Sequence, residues 1–562
     1  MIVLERARRL LGDPWAQRAI LVAVIVWVYW DGIWAGVPRS DQLHYLHHVS
    51  QYDSLWDILS HSPSWNRTTP DRYPDLILYR PVLYLLLGTF YFLFRYNFVA
   101  WQIAGLSLHL LVALGLHLLL IQGSLKRTVF PLLIALLFAT AFFASELVFW
   151  NHIVGYLLFC ALEVFAVYFF LRFLQNNRAV NLVQCGALSL VAEFTYEAGA
   201  VVNLLLAATL LGRGLFSPAT ETSAAQARRS ADRWSALVFL LAALLLPLAS
   251  VIDLRARGFE LAANGGGAIQ TLKLLLLAAE DSVLQIAFWL STWLAPTAYH
   301  CTALHRAICG VSKAALTPLR LINLVAFAWL AIGAVLAFRR LRRSSASRRE
   351  PLLAVAVCVV FLLGYSMIIA IGRTVPKGLM YILQANIYYT YMAFLTVCVG
   401  IAVAAAVGRA RLAPVEPGSD SSAPAPAADL GLAPERDVGR RLIPALAMLV
   451  VVNAFGVREL AHAFRYDFAA PRQEVVDHVL AWRKQVGDRT QRYFSVSPSC
   501  GGNEKIWWLD ETRMRKDSGW HPPATLADTL WPDRSADLNA AQIYISRKSV
   551  DEIRCGEHVA GR

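Results

Sequence analysis

The chain has 562 residues, of which 57% are hydrophobic and 16% charged, and its mean hydropathy is +0.48. Soluble domains carry about 25% charged residues, so this composition excludes a soluble globular protein and indicates a polytopic membrane protein. The formal net charge is +13, but the basic residues cluster between apolar runs, as in cytoplasmic loops. We therefore do not expect nucleic acid among the partners.

Apolar runs of membrane-spanning length recur along the chain. The first follows a basic N-terminus and lacks a small-residue cleavage site, which predicts a retained helix rather than a cleaved signal peptide. The fifth and sixth runs are close enough to form one helical hairpin. About eleven crossings are predicted, near 18–36, 98–121, 128–145, 153–172, 180–195, 198–212, 234–252, 319–338, 351–371, 389–408 and 442–457.

The loop charges predict an orientation. With a cytoplasmic N-terminus, almost every basic cluster falls in a cytoplasmic segment, and dropping one helix would destroy this agreement. We expect an integral protein of a bacterial inner membrane with a periplasmic C-terminus. The predicted cytoplasmic segments are 1–17, 122–127, 173–179, 213–233, 339–350 and 409–441.

The C-terminal part of the chain divides into three predicted regions. They follow the transmembrane region 1–411 and begin with a Pro-, Ala- and Ser-rich linker at 412–441, expected to be disordered and cytoplasmic. After a last transmembrane helix at 442–457, residues 458–562 are predicted to form a small exterior α/β domain. Its expected elements are the helix "APRQEVVDHVLAWRKQVG" and short strands in "RYFSV", "IWWLD" and "AQIYISR".

Cysteine placement agrees with this topology. Four cysteines fall inside predicted membrane helices, and the other four form one pair in an exterior loop and one pair in the tail, as an oxidising exterior favours. The helix cysteines are Cys160, Cys185, Cys358 and Cys398, and the disulfide candidates are Cys301 with Cys309 and Cys500 with Cys555.

The first exterior segment, 37–97, contains the stretch "RSDQLHYLHHV". If it is helical, Asp41, His44, Tyr45 and His48 lie on one face. Such a face could be a catalytic site, a metal site or the wet face of a helix on the membrane surface. The density of Trp and Tyr predicts one or two interfacial helices here, including the run 79–94.

Ionisable residues near predicted helix ends are further candidates, because charges close to the bilayer are costly and often functional. Arg373 and Lys377 flank a proline at an exterior helix end, and three tyrosines follow them. Their alternative roles are membrane-boundary charges and an interfacial aromatic belt. His109 and His117 are expected to be hydrogen-bonded core residues. The other candidates, at predicted exterior turns, are Glu146, His152 and Glu197; the tyrosines are Tyr388, Tyr389 and Tyr391.

The order of these motifs resembles the opening of GT-C glycosyltransferases, in particular the O-mannosyltransferases with tetratricopeptide repeats and their bacterial relatives. The repeats themselves are absent here. The resemblance covers residues 18–408. It is carried by Asp41, "YRP" at 79–81, "LH" at 108–109, Glu146 in "FASELVFWNHIVG", Tyr196 and Glu197 in "EFTYEAGAV", and "IGRTVPKGLMYILQANIYYTYMAFL".

The resemblance implies a GT-C-like helix bundle that moves a sugar from a polyprenyl-phosphate donor to an acceptor hydroxyl at the exterior face. Asp41 would be the general base, with Asp31 as a rival, and the donor phosphate would meet cations. For Arg80 a structural role is slightly favoured. The implied donor-binding residues are Arg373, Lys377, Arg80, Tyr388 and Tyr389, and the implied sugar and acceptor cleft is lined by Glu146, His152, Glu197, His44 and Tyr45.

No cofactor is required by this chemistry. A divalent metal held by Asp41, His44 and His48 is a less favoured alternative. Expected partners are the polyprenyl-phosphate sugar, membrane lipid, and a glycan, lipid or protein acceptor. The competing functions are a transporter or flippase of a lipid-linked glycan and a polysaccharide ligase. The absence of a visible twofold repeat favours the enzyme over the transporter.

Overall fold

The computed structural model describes residues 11–35, 49, 52–61, 80–95, 97–122, 125, 128–150, 153–216, 223–256, 276–278, 281–282, 285–286, 289, 349–370, 389–410, 433–469, 493–496 and 542–545.

Helices make up nearly all of these ranges. They are α1 (Pro14–Ile33), α2 (Leu55–His61), α3 (Pro81–Phe94), α4 (Phe98–Leu120), α5 (Phe130–Ala139), α6 (Phe142–Phe149), α7 (Val154–Asn176), α8 (Ala179–Glu193), α9 (Ala198–Phe216), α10 (Ser223–Ala256), α11 (Arg349–Ile369), α12 (Tyr389–Ala410) and α13 (Ala433–Ala463). A π-helical turn, Phe464–Ala469, continues α13.

Five helices within the described ranges are long and apolar enough to cross a membrane: α1, α4, α7, Arg229–Ala249 of α10, and Ile443–Tyr466. The pair α5 and α6, bent by 60°, is a sixth candidate. The protein is therefore an α-helical membrane protein, as its composition predicts. Every predicted crossing except 319–338 overlaps a described helix, and 319–338 lies outside the described residues. The total of about eleven stays a prediction.

Local sequence sets the ends of several helices. The Asp13 carboxylate caps α1 by accepting hydrogen bonds from the backbone N–H groups of Trp15 and Ala16, and Pro14 occupies the first helical position. The Asn97 side chain caps α4 in the same way. At the other end of α7, Asn177 takes a left-handed conformation with φ of 55°, a common way to terminate a helix.

The first and last of the described helices run in the same direction. The C-terminal ends of α1 and α13 meet, because the Arg458 guanidinium donates to the Trp27 carbonyl at 2.6 Å and lies 3.7 Å from the Asp31 carboxylate. An odd number of crossings requires parallel first and last helices, so this packing agrees with the predicted topology. Which end faces the cytoplasm stays a prediction.

Two apolar cores hold the described helices together. The larger core joins side chains from α2, α3, α4, α7, α9 and α12, with Trp101 and Tyr84 among its largest fully buried members. The smaller core joins α1, α4, α5 and α13. Val49, the last residue of the "RSDQLHYLHHV" stretch, is 1% exposed and belongs to the larger core. Val49 thereby connects the predicted exterior segment to the bundle.

Gly32 permits close contact between α1 and α6. A side chain at Gly32 would meet the ring of Phe149, and that ring stacks on Phe464 with centroids 4.7 Å apart. We expect Gly32→Ala to lower stability by about 1–3 kcal/mol through overpacking, measured as the thermal midpoint in detergent. The control is Gly456→Ala in α13, where an added Cβ meets nothing within 4 Å. Equal midpoints for the two variants would contradict this packing.

The bounds of the last helix differ from the prediction. α13 begins at Ala433, inside the predicted linker, and its helical turns continue through the π-turn to Ala469, past the predicted end at 457. Hydropathy marks only the apolar part of a helix. The flanking "ERDVGRR" and "RELAHAFR" are charged but contain good helix formers, so the helix extends beyond its apolar part.

Two of the predicted tail strands are present. β1 (Tyr493–Val496) and β2 (Gln542–Ile545) pair in parallel, with Tyr493 opposite Gln542 and Val496 opposite Ile545. The "IWWLD" strand, the tail helix and the predicted disulfides of Cys301, Cys309, Cys500 and Cys555 lie outside the described residues. The four cysteines predicted inside helices are confirmed there as free thiols: Cys160, Cys185, Cys358 and Cys398.

Candidate functional site around Arg80 and Glu197

Arg80 and Glu197 form a bidentate ion pair between two segments 117 residues apart. The Arg80 Nε group donates to Glu197 Oε1 and the Nη2 group donates to Oε2, both at 2.8 Å. The side chains are 15% and 27% exposed, respectively. Arg80 immediately precedes Pro81 at the start of α3, and Glu197 lies in the turn between α8 and α9. This fork-to-fork geometry is the strongest form of arginine–carboxylate pairing.

Tyr196 and the backbone reinforce the pair. The Arg80 guanidinium carbon lies 4.1 Å from the centroid of the Tyr196 ring, a cation–π contact. The Val82 N–H donates to the Phe194 carbonyl at 3.2 Å. Burial by itself lowers the pKa of Arg80, but the adjacent Glu197 carboxylate more than offsets this and raises the pKa above its ordinary value. Arg80 is therefore a permanent cation held in one position.

A cluster of tyrosines extends from this pair to α11 and α12. The Tyr156 ring lies 4.8 Å from the Tyr196 ring and 6.3 Å from the Tyr389 ring, centroid to centroid. The Tyr156 hydroxyl is hydrogen-bonded to that of Tyr365, whose hydroxyl also donates to the Tyr389 carbonyl at 3.4 Å. Three segments that resemble GT-C motifs, "YRP", "TYE" and the start of "YTY", thus meet in one place. We call Arg80, Glu197, Tyr196, Tyr156, Tyr365 and Tyr389 the Arg80 cluster.

The chain segment with Arg373 and Lys377 begins and ends beside the Arg80 cluster. Segment 371–388 itself lies outside the described residues, but it leaves α11 within six residues of Tyr365 and enters α12 at Tyr389. In the sequence, Arg373 and Lys377 therefore lie between two helices that contribute to the Arg80 cluster.

Glu146 lies in a helix and not in the predicted turn. The predicted crossing 128–145 bends after Ala139 into the short helix α6, which contains Glu146, and this residue is 2% exposed. Its implied role in the cleft stays a prediction. Tyr389 and Tyr391 are likewise buried, at 6% and 0% exposure. They pack within the protein, and the implied donor-binding role of Tyr389 stays a prediction.

The two histidines of α4 are confirmed as core residues. The ring of His109 is hydrogen-bonded through Nδ1 to the Tyr391 hydroxyl at 2.9 Å and through Nε2 to the Ala139 carbonyl at 3.0 Å. The Nε2 atom of His117 is 2.8 Å from the Gln17 side-chain oxygen. Both rings are fully buried. These bonds tie α4 to α1, α5 and α12.

Asp31, the rival of Asp41 as a base, is surrounded by cations. Its carboxylate lies 3.7 Å from Arg458 Nη2, 3.7 Å from His462 Nδ1 and 3.8 Å from Arg465 Nη1. The arrangement favours a charge-pairing role for Asp31.

Comparisons of the chain with protein-family models, with curated proteins and with solved structures found no match. The likeness to GT-C enzymes therefore rests on the sequence motifs alone. Seven of the predicted site residues lie outside the described residues, so their roles stay predictions: Asp41, His44, Tyr45, His152, Arg373, Lys377 and Tyr388.

Sequence analysis missed an acidic group inside the bundle. Glu193 of α8 is fully buried, accepts a hydrogen bond from Asn203 Nδ2 at 2.6 Å and lies 3.4 Å from the Leu246 backbone nitrogen, which donates to it. Glu163 of α7 is 4% exposed, interacts electrostatically with Glu193, and has no hydrogen-bond partner for its carboxylate among the described residues. The available signal was a glutamate in the middle of an apolar run, which is costly in a membrane.

Proposed function

We propose that this protein is a membrane-embedded glycosyltransferase that moves a sugar from a polyprenyl-phosphate donor to an acceptor hydroxyl. The observation that carries the proposal is the Arg80 cluster, which joins three dispersed segments resembling GT-C motifs. Chance likeness in three loose motifs gives no reason for them to meet in space. The cluster's fixed cation beside the entry and exit of segment 371–388 suits a donor phosphate.

The proposed reaction needs a base, an electrophilic sugar and a stabilised leaving group. The acceptor oxygen attacks the anomeric carbon while its proton passes to the Asp41 carboxylate. The bond between the anomeric carbon and the phosphate oxygen breaks, and its electron pair leaves with the polyprenyl phosphate. Arg373 and Lys377 would balance the new phosphate charge. Glu197 engages the Nε–Nη2 edge of Arg80, so only the Nη1 edge is directed away from that carboxylate.

The direct test is sugar transfer by the purified chain in liposomes. We expect labelled sugar from a polyprenyl-phosphate donor to appear on an added hydroxyl acceptor. We expect no transfer from a soluble nucleotide sugar, because the proposed donor is held in the membrane by its polyprenyl chain. A panel of hexosyl and pentosyl donors is needed because the sequence does not specify the sugar. Transfer from nucleotide sugars alone would contradict the proposal.

A transporter of a lipid-linked glycan is the second candidate, and the buried acids favour it. Glu163 and Glu193 are both buried inside the bundle and interact electrostatically, and intramembrane carboxylates often mark proton or substrate pathways. The bent pair α5–α6 is a broken apolar segment of the kind found in transporters. A fluorescent lipid-linked sugar would then cross liposome membranes without sugar transfer, and Glu163→Gln would slow that crossing.

A further inference from the structure

A cationic stripe lies where α1 meets the end of α13. Arg458, His462 and Arg465 are spaced i, i+4 and i+7, a spacing that places side chains on one helical face. All three lie within 3.8 Å of the Asp31 carboxylate. Two permanent cations and a histidine thus share one acid, which leaves the group with excess positive charge. We call these four residues the Asp31 cluster.

Asp31 does not satisfy the hydrogen-bond donors of Arg458, His462 and Arg465. The three N–O distances of 3.7–3.8 Å are beyond ordinary hydrogen-bond length, so Asp31 attracts the cations without accepting a close bond from them. The cationic side chains are 31–58% exposed, whereas that of Asp31 is 14% exposed. Their N–H donors are therefore available to an outside acceptor. Glu459 is exposed beside Arg458, but successive helical residues point about 100° apart, so it lies off the stripe.

Exposed aromatic side chains lie on the same two helices as the cluster. Trp27, Trp30, Trp34 and Phe455 are 41%, 47%, 45% and 58% exposed. The Arg458 guanidinium lies 5.0 Å from the Trp27 ring centroid, and the Trp27 ring meets the Phe455 ring edge-on at 5.6 Å. Cations beside exposed tryptophans are typical of the level at which lipid headgroups lie. A soluble anion would gain nothing from these rings, whereas acyl chains would cover them.

The cations are held in place from within the protein. Phe464, one residue before Arg465, is 1% exposed and its ring stacks on Phe149 with 13° between the ring planes. Phe464 and Arg465 are the first two residues of the π-helical turn Phe464–Ala469. Such turns are rare in proteins and, where they occur, are often found at functional sites. Arg458 is fixed by its 2.6 Å hydrogen bond to the Trp27 carbonyl. The positions of the two arginines therefore do not depend on Asp31 alone.

We propose that the Asp31 cluster binds the phosphate of an anionic membrane phospholipid, with the acyl chains lying along Trp27, Trp30 and Phe455. The Arg458 and Arg465 guanidinium groups donate to the phosphate oxygens, and Asp31 keeps both arginines aimed at one point. The bound lipid covers the seam between the first and last described helices. This inference goes beyond the proposed sugar transfer and does not depend on it.

The test is lipid binding by the full chain in neutral detergent, measured by native mass spectrometry. We expect phosphatidylglycerol to bind at least tenfold more tightly than phosphatidylcholine. Removing both arginines with Arg458→Gln and Arg465→Gln should weaken phosphatidylglycerol binding by about fivefold per charge. The matched control is Arg172→Gln, because Arg172 is also exposed and lies over a ring, that of Tyr168; it should change nothing.

A second variant keeps the proposal testable if the double variant misfolds. Asp31→Asn removes the acid that competes with phosphate, while the Trp27 carbonyl still holds Arg458 and Phe464 still anchors the chain beside Arg465. Phosphatidylglycerol binding should therefore become tighter even if the thermal midpoint falls. A purely structural charge cluster would not tighten. Three results would overturn the proposal. The two phospholipids could bind equally, or inorganic phosphate could displace bound phosphatidylglycerol as strongly as added phosphatidylglycerol does. The third is that polyprenyl phosphate displaces the bound lipid and added phosphatidylglycerol does not.

Discussion

Replacing Arg80 with glutamine is expected to lower the free energy of unfolding by about 3–5 kcal/mol, because it leaves the Glu197 carboxylate largely buried without its counter-ion. The two bidentate bonds of 2.8 Å and the ring contact to Tyr196 would be lost together. The measurement is the thermal midpoint of the purified chain in detergent, supported by denaturant unfolding.

The double variant Arg80→Gln with Glu197→Gln separates ion pairing from general damage. Removing both charges should recover part of the loss, so the double variant should be more stable than Arg80→Gln alone. The control is Arg95→Gln at the other end of α3, where the cation lies 4.7 Å from the Tyr91 ring centroid on the exposed surface. If the loss of stability in the double variant equals the sum of the losses caused by each substitution alone, Arg80 and Glu197 are not coupled.

Asp41→Asn is expected to reduce sugar transfer by about 10²–10⁴-fold, the usual contribution of a general base. Asparagine has nearly the shape of aspartate but does not accept the proton, so the Michaelis constant for the donor should change much less than the turnover number. The measurement is initial rates of transfer in liposomes over a range of donor concentrations.

The matched control for the base is Asp53→Asn. Asp53 is an exposed acid of the same segment, between the anchoring residue Val49 and α2, and no role is assigned to it. Its loss should leave both constants within twofold, a change of about 0.4 kcal/mol in the barrier. Full activity in Asp41→Asn, or equal losses in the two variants, would remove Asp41 as the base.

Much of the helix arrangement could be predicted from the amino-acid sequence. Hydropathy placed α1, α4 and α7 within a few residues of their observed bounds. The basic clusters of the loops implied that the first and last crossings run in parallel, and the Arg458–Asp31 contact agrees with this direction. Membrane helices are predictable because about 20 apolar residues are needed to span the bilayer, whatever the rest of the fold. Polar ends, such as the start of α13 at Ala433, escape that criterion.

The candidate site could be predicted only in pieces. Sequence named Arg80 and Glu197 separately, but a bidentate pair across 117 residues depends on how α3 packs against the α8–α9 turn. Like Glu197, Glu146 and Tyr391 are polar residues near predicted helix ends, yet both are buried. A side chain's exposure depends on neighbours that are distant in the chain, and a single sequence does not specify them.

By itself the sequence determined that this is a helical membrane protein, because hydrophobicity and helix length are local properties read by the bilayer. It also determined which residues are candidates for chemistry. Only the tertiary structure decided which candidates meet: Arg80 with Glu197 and Tyr196, His109 with Tyr391, and Asp31 with the cations of α13. The physical reason is that ion pairs and ring contacts act over a few ångströms, and helix packing alone brings distant residues within that range.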